Sequence, residues 1–212
     1  NNGEDFWAII QAFTNIGGYR LEWQLLNTKW FLPQNRERIY LVGYLGDGSP
    51  GQVFPIREDD STFKNKFRKA NRSISKTQNK NIHARPIGTG TAKMATDSTF
   101  IKVKSATSKG YEEAVEGDSI NYSNPKSETR RGRVGKGIAQ TLDTGCSQAV
   151  IDNKIRRLTP IECERLQGFP DNWTEYGESG KISDTQRYKM CGNAVTVDVV
   201  EAVAKNIIKV IK

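Results

Sequence analysis

The sequence predicts an α/β fold, and three patterns predict it. Residues 4 to 16 carry apolar side chains at helical spacing, and Tyr19 to Leu25 alternate strictly between apolar and polar. Ile39 to Leu45 form a nearly unbroken apolar run, the pattern of a strand buried on both faces of a sheet covered by helices. A helix and two strands cannot close such a sheet. They read as the tail end of an α/β domain whose earlier strands lie elsewhere, with an apolar edge that something must cover.

The first helix places Phe6, Ile9, Ile10 and Phe13 on one side and stops at Gly17-Gly18, where a left-handed backbone is easy for glycine. In the strand that follows, Tyr19, Leu21, Trp23 and Leu25 share one face, and Arg20, Glu22 and Gln24 the other. From Arg57 to Lys109 the composition shifts to thirteen Lys and Arg against four Asp and Glu. Part of that stretch, residues 71 to 81, is expected to be a mobile loop, yet unstructured connections of this length are uncommon unless they are functional. Thr159-Pro160-Ile161-Glu162 then predicts a capping box, with Gly168 ending the helix and a Pro-Asp turn at 170 to 171. A C-terminal helix follows, its predicted buried stripe running through Val200, Val203, Ala204, Ile207, Ile208 and Ile211.

The chain has 212 residues, a net charge of +8 and a pI near 9.4. A surplus of that size answers to a polyanion such as nucleic acid, or to an anionic membrane surface. No apolar run approaches the roughly 20 residues that span a bilayer, which weakens the membrane reading. Cys146, Cys163 and Cys191 are odd in number and share no CxxC spacing, against both a disulfide framework and a zinc site, so a reducing cytoplasm is expected and no metal. The chain opens on Asn1 without a secretion signal, which reads as a processed or excised piece.

Four stretches stand in a fixed order: PQNRERIYLVG (33 to 43), GIAQTLDTGCSQAV (137 to 150) at the end of the basic region, IRRLTPIECERLQGFPD (155 to 171) and CGNAVTVDVVEAVAKNI (191 to 207). Together they resemble the C-terminal half of DNA (cytosine-5)-methyltransferases, where a QxRxR motif precedes a variable target-recognition region, an RxLTPxExxRLxGFP motif and a GNxV motif. The resemblance covers nearly the whole chain. It implies the terminal helix and strands of an S-adenosylmethionine-dependent, Rossmann-like methyltransferase sheet, plus a small, irregular, mainly β target-recognition domain. The corresponding divisions are residues 1–55 for the end of the catalytic domain, 56–154 for target recognition, and 155–212 for its support and the helix returning to the catalytic domain.

By this resemblance Arg38 is the catalytic guanidinium beside the cytosine O2, with Arg36 and Gln34 ordering the site. Methylating carbon 5 requires the base to be flipped from the duplex, and a fixed guanidinium stabilises charge as it builds on the ring. In isolation an RxR pair more often salt-bridges a surface loop. Asn193, Ala194, Val195 and Phe169 are implied to line the S-adenosyl-L-methionine pocket, although Gly192-Asn193 would serve equally as a helix-entry turn and Phe169 as a core aromatic. Arg130, Arg131, Arg133 and Lys136, interleaved with glycines, together with Thr141 and Leu142, are implied to meet double-stranded DNA. The arginines of the 155–171 stretch fit phosphates as well as they fit Glu162 or Glu164.

The family's FxGxG loop, its Pro-Cys nucleophile and its ENV motif are absent from this sequence. The chain is therefore expected not to methylate DNA alone, and to join either the N-terminal half of the same enzyme or a separate complementary subunit. The expected setting is a bacterial restriction–modification system, nucleoid-associated, with a possible cognate restriction endonuclease. The alternative is a non-catalytic, sequence-specific DNA-binding module, which would have no use for QNRER and GNAV.

Overall fold

The computed structural model describes residues 3–46, 51–58, 100–152 and 154–211. The loop expected at residues 71–81, with most of the basic stretch, lies outside the described residues. Among those described, no helix is long and apolar enough to cross a membrane.

The first unit forms as its sequence pattern predicts. Helix α1 (Glu4–Ile16) has Glu4 and Asp5 in its first turn, where they meet the positive end of the helix dipole, and stops at Gly17 with φ 78°. Strand β1 (Tyr19–Asn27) is followed by the two-residue strand β2 (Gln34–Asn35) and by β3 (Glu37–Leu45). β1 and β3 pair antiparallel from Tyr19↔Leu45 to Asn27↔Glu37. Helix α1 packs on the Tyr19/Trp23 face through edge-on ring contacts, Phe6 to Trp23 at 5.6 Å and Phe13 to Tyr19 at 5.5 Å.

The core lies on the opposite face, the one carrying Glu22 and Gln24. Their side chains hold residues 53 to 56 against the sheet by standing in for a neighbouring strand. Glu22 Oε2 accepts from the backbone N–H of Val53 (3.0 Å) and Phe54 (3.3 Å), while Gln24 exchanges two 2.8 Å hydrogen bonds with the backbone of Ile56. That segment delivers Val53, Phe54 and Ile56 to a core with Leu26, Phe31, Val42, Val199 and Val203. The face carrying the polar residues of β1 is thus the one that meets the core. β3 is fully covered on this side only: on the other face Leu41 is half-buried, and Ile39 and Leu45 are 53% and 73% exposed. The expectation of burial on both faces is corrected accordingly for the described residues.

Between these strands and the C-terminal helices the sequence forms a short-stranded β unit. It comprises β4 (Ile101–Lys104), β5 (Tyr111–Ala114), β6 (Ser119–Asn121), β7 (Val134–Gly135), β8 (Ala139–Gln140), β9 (Gln148–Asp152) and β10 (Lys154–Arg157). β4 and β5 form a hairpin, and β10-β9-β6-β7 form an antiparallel sheet around Ala114, Ile120, Ala149 and Ile151. β8 instead pairs parallel with β2, Gln34↔Ala139 and Asn35↔Gln140, which ties the β unit to the first.

Helix α2 (Pro160–Gln167) carries the complete capping box: Thr159 Oγ1 accepts from the Glu162 N–H at 3.3 Å, and the Glu162 carboxylate accepts from the Thr159 N–H at 2.8 Å. It ends at Gly168 (φ 79°), where an added Cβ would stand 2.4 Å from Asp198 Oδ2. The turn after it leads through the hairpin β11 (Tyr176–Gly177) and β12 (Gly180–Lys181) to α3 (Asp184–Asn193). Glu164 of α2 and Arg187 of α3 form a buried ion pair at 3.0 Å, and Glu164 also accepts from the Thr174 N–H and hydroxyl. Removing Arg187 would leave the Glu164 carboxylate buried without its ion-pair partner.

The terminal helix α4 (Val197–Ile211) forms as expected but with its face turned. Val199, Ala202, Val203, Ile207 and Val210 meet the core, and Asn206 Nδ2 donates to Val53 O at 3.0 Å. Of the predicted stripe, Val203 and Ile207 lie on the core while Val200, Ile208 and Ile211 are exposed. The helix is apolar on two sides, so spacing alone could not choose between them. The 51–57 segment chooses.

Candidate functional site

The QNRER segment runs into a joint where three distant parts of the chain meet. Gln34 is fully buried. Its Nε2 donates to Leu166 O on α2 at 2.8 Å, and its Oε1 accepts from the Leu142 N–H at 3.1 Å. Two residues on, the Arg36 guanidinium donates to Leu142 O (3.3 Å), Gly192 O (3.3 Å) and Ala194 O (2.9 Å). Burial, and Arg38 beside it, lower the pKa of Arg36, and three carbonyl acceptors are what make a buried guanidinium tolerable here. Both residues therefore brace the joint between residues 142, 166, 192 and 194.

Arg38 differs from its neighbour. Its side chain is exposed, and its hydrogen bond runs to its own neighbour's carbonyl, Glu37 O, at 2.6 Å. The strand pairing sets Arg38 opposite Leu26, at the end of the sheet nearest the joint. Here one arginine is spent on architecture and the next is left presented to solvent.

The joint holds residues that sequence reasoning did not single out. Asn27 Nδ2 donates to Asn35 Oδ1 (2.9 Å) and Glu37 Oε1 (3.1 Å), while its Oδ1 accepts from the Arg36 N–H at 3.3 Å. A buried chain of polar groups links Thr28 to Thr196 (2.9 Å), Thr196 to Gln167 (3.0 Å) and Gln167 to Cys191 O (2.9 Å). Gln167 and Thr196 lie inside the quoted motifs, which was the available signal. Asn27 and Thr28 lie outside them, and only their fold partners reveal them.

Gly192 packs against the backbone of Asp143 and Thr144, so closely that an added Cβ would sit 2.6 Å from Asp143 O. In this structure the glycine of GNAV makes room for another part of its own chain. Asn193 and Val195 are exposed, Ala194 is half-buried with its carbonyl held by Arg36, and Phe169 is half-buried. The Cβ position of Gly168 faces Val197 and Asp198, which sets the GFP turn beside the start of α4.

The residues expected to meet DNA are placed unequally. Arg131 is exposed and its Nε donates to Ala106 O at 2.8 Å; Arg130 is half-buried and its guanidinium has no hydrogen bond or ion pair among the described residues. Two of the expected positions lie inside the protein. Arg133 is only 2% exposed, its guanidinium spent on Ser123 O (3.2 Å) and Asn124 O (2.5 Å). Leu142 is buried in the core formed with Leu158, Cys163, Leu166, Tyr188 and Cys191, and its backbone serves Gln34 and Arg36. Both positions are occupied by the protein's own packing. Lys136 is exposed but paired with Asp118 at 2.7 Å, and the Thr141 hydroxyl donates to Asn35 O at 2.8 Å.

The arginines of the 155–171 stretch are also paired within the protein. Arg156 donates two 2.8 Å hydrogen bonds to Glu162, Arg165 pairs with Asp171, and Arg157 donates to the Gly145 and Cys146 carbonyls while lying over the Tyr188 ring. All three cysteines are buried, with Cys146 Sγ 3.3 Å from Cys163 Sγ. The hydrogen bond to Cys146 and burial push the Cys163 thiol far up, burial pushes Cys191 up to about 11, and the bond from Cys163 draws Cys146 down. None of the three is presented to a substrate.

The chain is similar to several bacterial enzymes over almost all of its own length. It is 26% identical over 216 residues to the type II methyltransferase M.Bsp6I of Bacillus sp. (strain RFL6), covering 99% of this chain and 61% of that protein. It is 27% identical over 216 residues to M1.ScrFI of Lactococcus lactis subsp. cremoris, covering 100% and 49%. With M.SsoII of Shigella sonnei it shares 29% over 209 residues, covering 95% and 48%. The chain thus spans about half to three fifths of the length of these curated relatives. The solved structure of the Entamoeba histolytica methyltransferase EhMeth aligns with 97% of this chain and 58% of that one, at 12% identity and a TM-score of 0.40. The profile of the C-5 cytosine-specific DNA methylases matches residues 1–209, and this chain belongs to that family.

Proposed function

We propose that this chain is the C-terminal portion or subunit of a DNA (cytosine-5)-methyltransferase that moves a methyl group from S-adenosyl-L-methionine to carbon 5 of a flipped cytosine in duplex DNA. The observation that carries this reading is the contrast between Arg36 and Arg38. The first is anchored to three backbone carbonyls, and the second projects beside it with its guanidinium exposed. A rigid support under a solvent-facing cation is what stabilising a developing charge requires, because no reorganisation is then needed during the reaction.

In this reading Arg38 faces the cytosine O2 and takes up the charge that gathers on the ring when a thiolate adds at carbon 6. Arg36 and Gln34 position Arg38 and join it to the target-recognition segment. Asn193, Ala194, Val195 and Phe169 fit one side of the cofactor pocket: an exposed amide that can donate and accept, an exposed valine, and a half-buried ring beside them. When bound, S-adenosyl-L-methionine supplies the methyl group. The attacking thiolate comes from outside this chain, since its three cysteines are buried.

Arg130 and Arg131 make the DNA contacts, while Arg133, Lys136, Thr141 and Leu142 hold the segment that presents them. The partners are double-stranded DNA and the remainder of the catalytic domain, either from the same polypeptide or from a complementary subunit. Trp23, Leu25, Ile39 and Leu45 expose one apolar sheet face, which fits burial against that remainder. A restriction–modification setting with a cognate endonuclease, in a bacterial cytoplasm at the nucleoid, accords with this role.

The test is methyl transfer by the complete protein, read as 5-methylcytosine in duplex DNA after digestion. Arg38→Ala should abolish product while leaving duplex binding largely intact. Normal turnover by Arg38→Ala, or methyl transfer by the 212-residue chain alone, would overturn the assignment.

A further inference from the structure

Away from the joint, one carboxylate is surrounded by donors. Glu112, on β5, accepts hydrogen bonds from the consecutive backbone N–H groups of Gly132 (2.9 Å), Arg133 (2.7 Å) and Val134 (2.9 Å), and from the Ser105 hydroxyl at 3.1 Å. Successive N–H groups converging in this way form an anion-binding nest, and here an internal carboxylate fills it. Burial pushes the Glu112 carboxyl up, but the bonds from Val134, Gly132, Arg133 and Ser105 outweigh it and leave its pKa below the ordinary value.

The same segment is gripped from its other end. Arg130 O accepts from the Ala106 N–H at 2.9 Å, Arg131 Nε donates to Ala106 O at 2.8 Å, and Arg133 is anchored on Ser123 and Asn124. Strand pairing begins only at Val134, so Glu112 supplies the partners that regular structure does not supply to residues 132 and 133. The Arg130 guanidinium lies outside this grip, and Arg131, held through Nε alone, keeps its terminal guanidinium nitrogens outside it.

We propose that Glu112 is a positioning residue for target recognition: it fixes the backbone of residues 132–134 and thereby aims Arg130 and Arg131 at the duplex, setting sequence discrimination rather than general attraction. This rests on the reading of the Arg130–Lys136 segment as a DNA-contacting surface. Charge and positioning make opposite predictions for this residue. Removing an acid from a basic surface strengthens the attraction for phosphates, whereas releasing the loop weakens selective contacts to base edges.

The experiment uses the complete protein and a pool of duplexes with a randomised centre, captured, sequenced and compared with a scrambled duplex at fixed salt. Wild type should enrich one motif. Glu112→Gln should bind the scrambled duplex as tightly as wild type or more so, yet lose tenfold or more in preference for the enriched motif, and it should melt at a lower temperature while staying folded at the binding temperature. Should Glu112→Gln fold poorly, Glu112→Asp keeps the charge, withdraws the carboxylate by one methylene and should lose part of that preference. Undiminished preference in the folded variants overturns the proposal. Failure of the wild type to enrich any motif overturns the DNA-contacting reading beneath it.

Discussion

Gly192 lies against Asp143 with no room for a side chain: a Cβ at residue 192 would meet the Asp143 carbonyl carbon and oxygen at 2.6 Å and the Thr144 nitrogen at 2.7 Å. The end of α3 and the segment after β8 are therefore locked together backbone to backbone. Arg36 spans the same seam, bonding Leu142 O on one side and Gly192 O and Ala194 O on the other.

Gly192→Ala should push the two segments apart. Neither wall is a flexible side chain, so the cost is that of overpacking, about 1–3 kcal/mol. Urea unfolding should show this loss, and methyl transfer by the complete protein should fall with it. A fully stable and active alanine variant would mean that the seam is looser than its geometry.

Arg36→Met and Arg38→Ala should separate architecture from chemistry. The first leaves the buried Leu142 carbonyl and two half-buried carbonyls without their donor, at roughly 1–3 kcal/mol for a fully buried unsatisfied group and less where water can reach. The second removes an exposed side chain and should change stability by no more than about 0.5 kcal/mol. Denaturation curves of both variants decide the matter, and equal losses would refute the division of labour between the two arginines.

The capping box of α2 should make stability depend on acid. Hydrogen bonds from Arg156, opposed by burial and joined by those from Thr159, hold the Glu162 carboxyl down at about 2 from an ordinary 4.5. A folded-state pKa below the unfolded one means that the unfolded chain binds the proton more readily. The stabilisation is then fully present above pH 4.5 and is lost as pH falls towards 2. The melting-temperature gap between wild type and Glu162→Gln should be widest near neutral pH and close across that window. A gap independent of pH would assign the effect to packing.

Local patterns were legible where a few adjacent residues decide the outcome. The Thr159–Glu162 box, the stop at Gly168, helix α1 and the alternation of β1 all depend on groups within four residues of one another, and each formed as read. The four ordered motifs likewise identified the family from the chain alone. What local pattern left open was which face is buried: the residues that Glu22 and Gln24 bond, Val53, Phe54 and Ile56, lie some thirty positions away.

The sequence by itself determined helices α1, α2 and α4, strands β1 and β3, the family and the positions of QNRER and GNAV. Only the tertiary structure decided which arginine braces and which is presented, which stripe of α4 is buried, and that Arg133 and Leu142 belong to the interior. The reason is one of range. Capping and periodicity are settled by neighbours along the chain, whereas a guanidinium is spent or exposed according to which carbonyls reach it, and Leu142, Gly192 and Ala194 reach Arg36 from more than a hundred residues away.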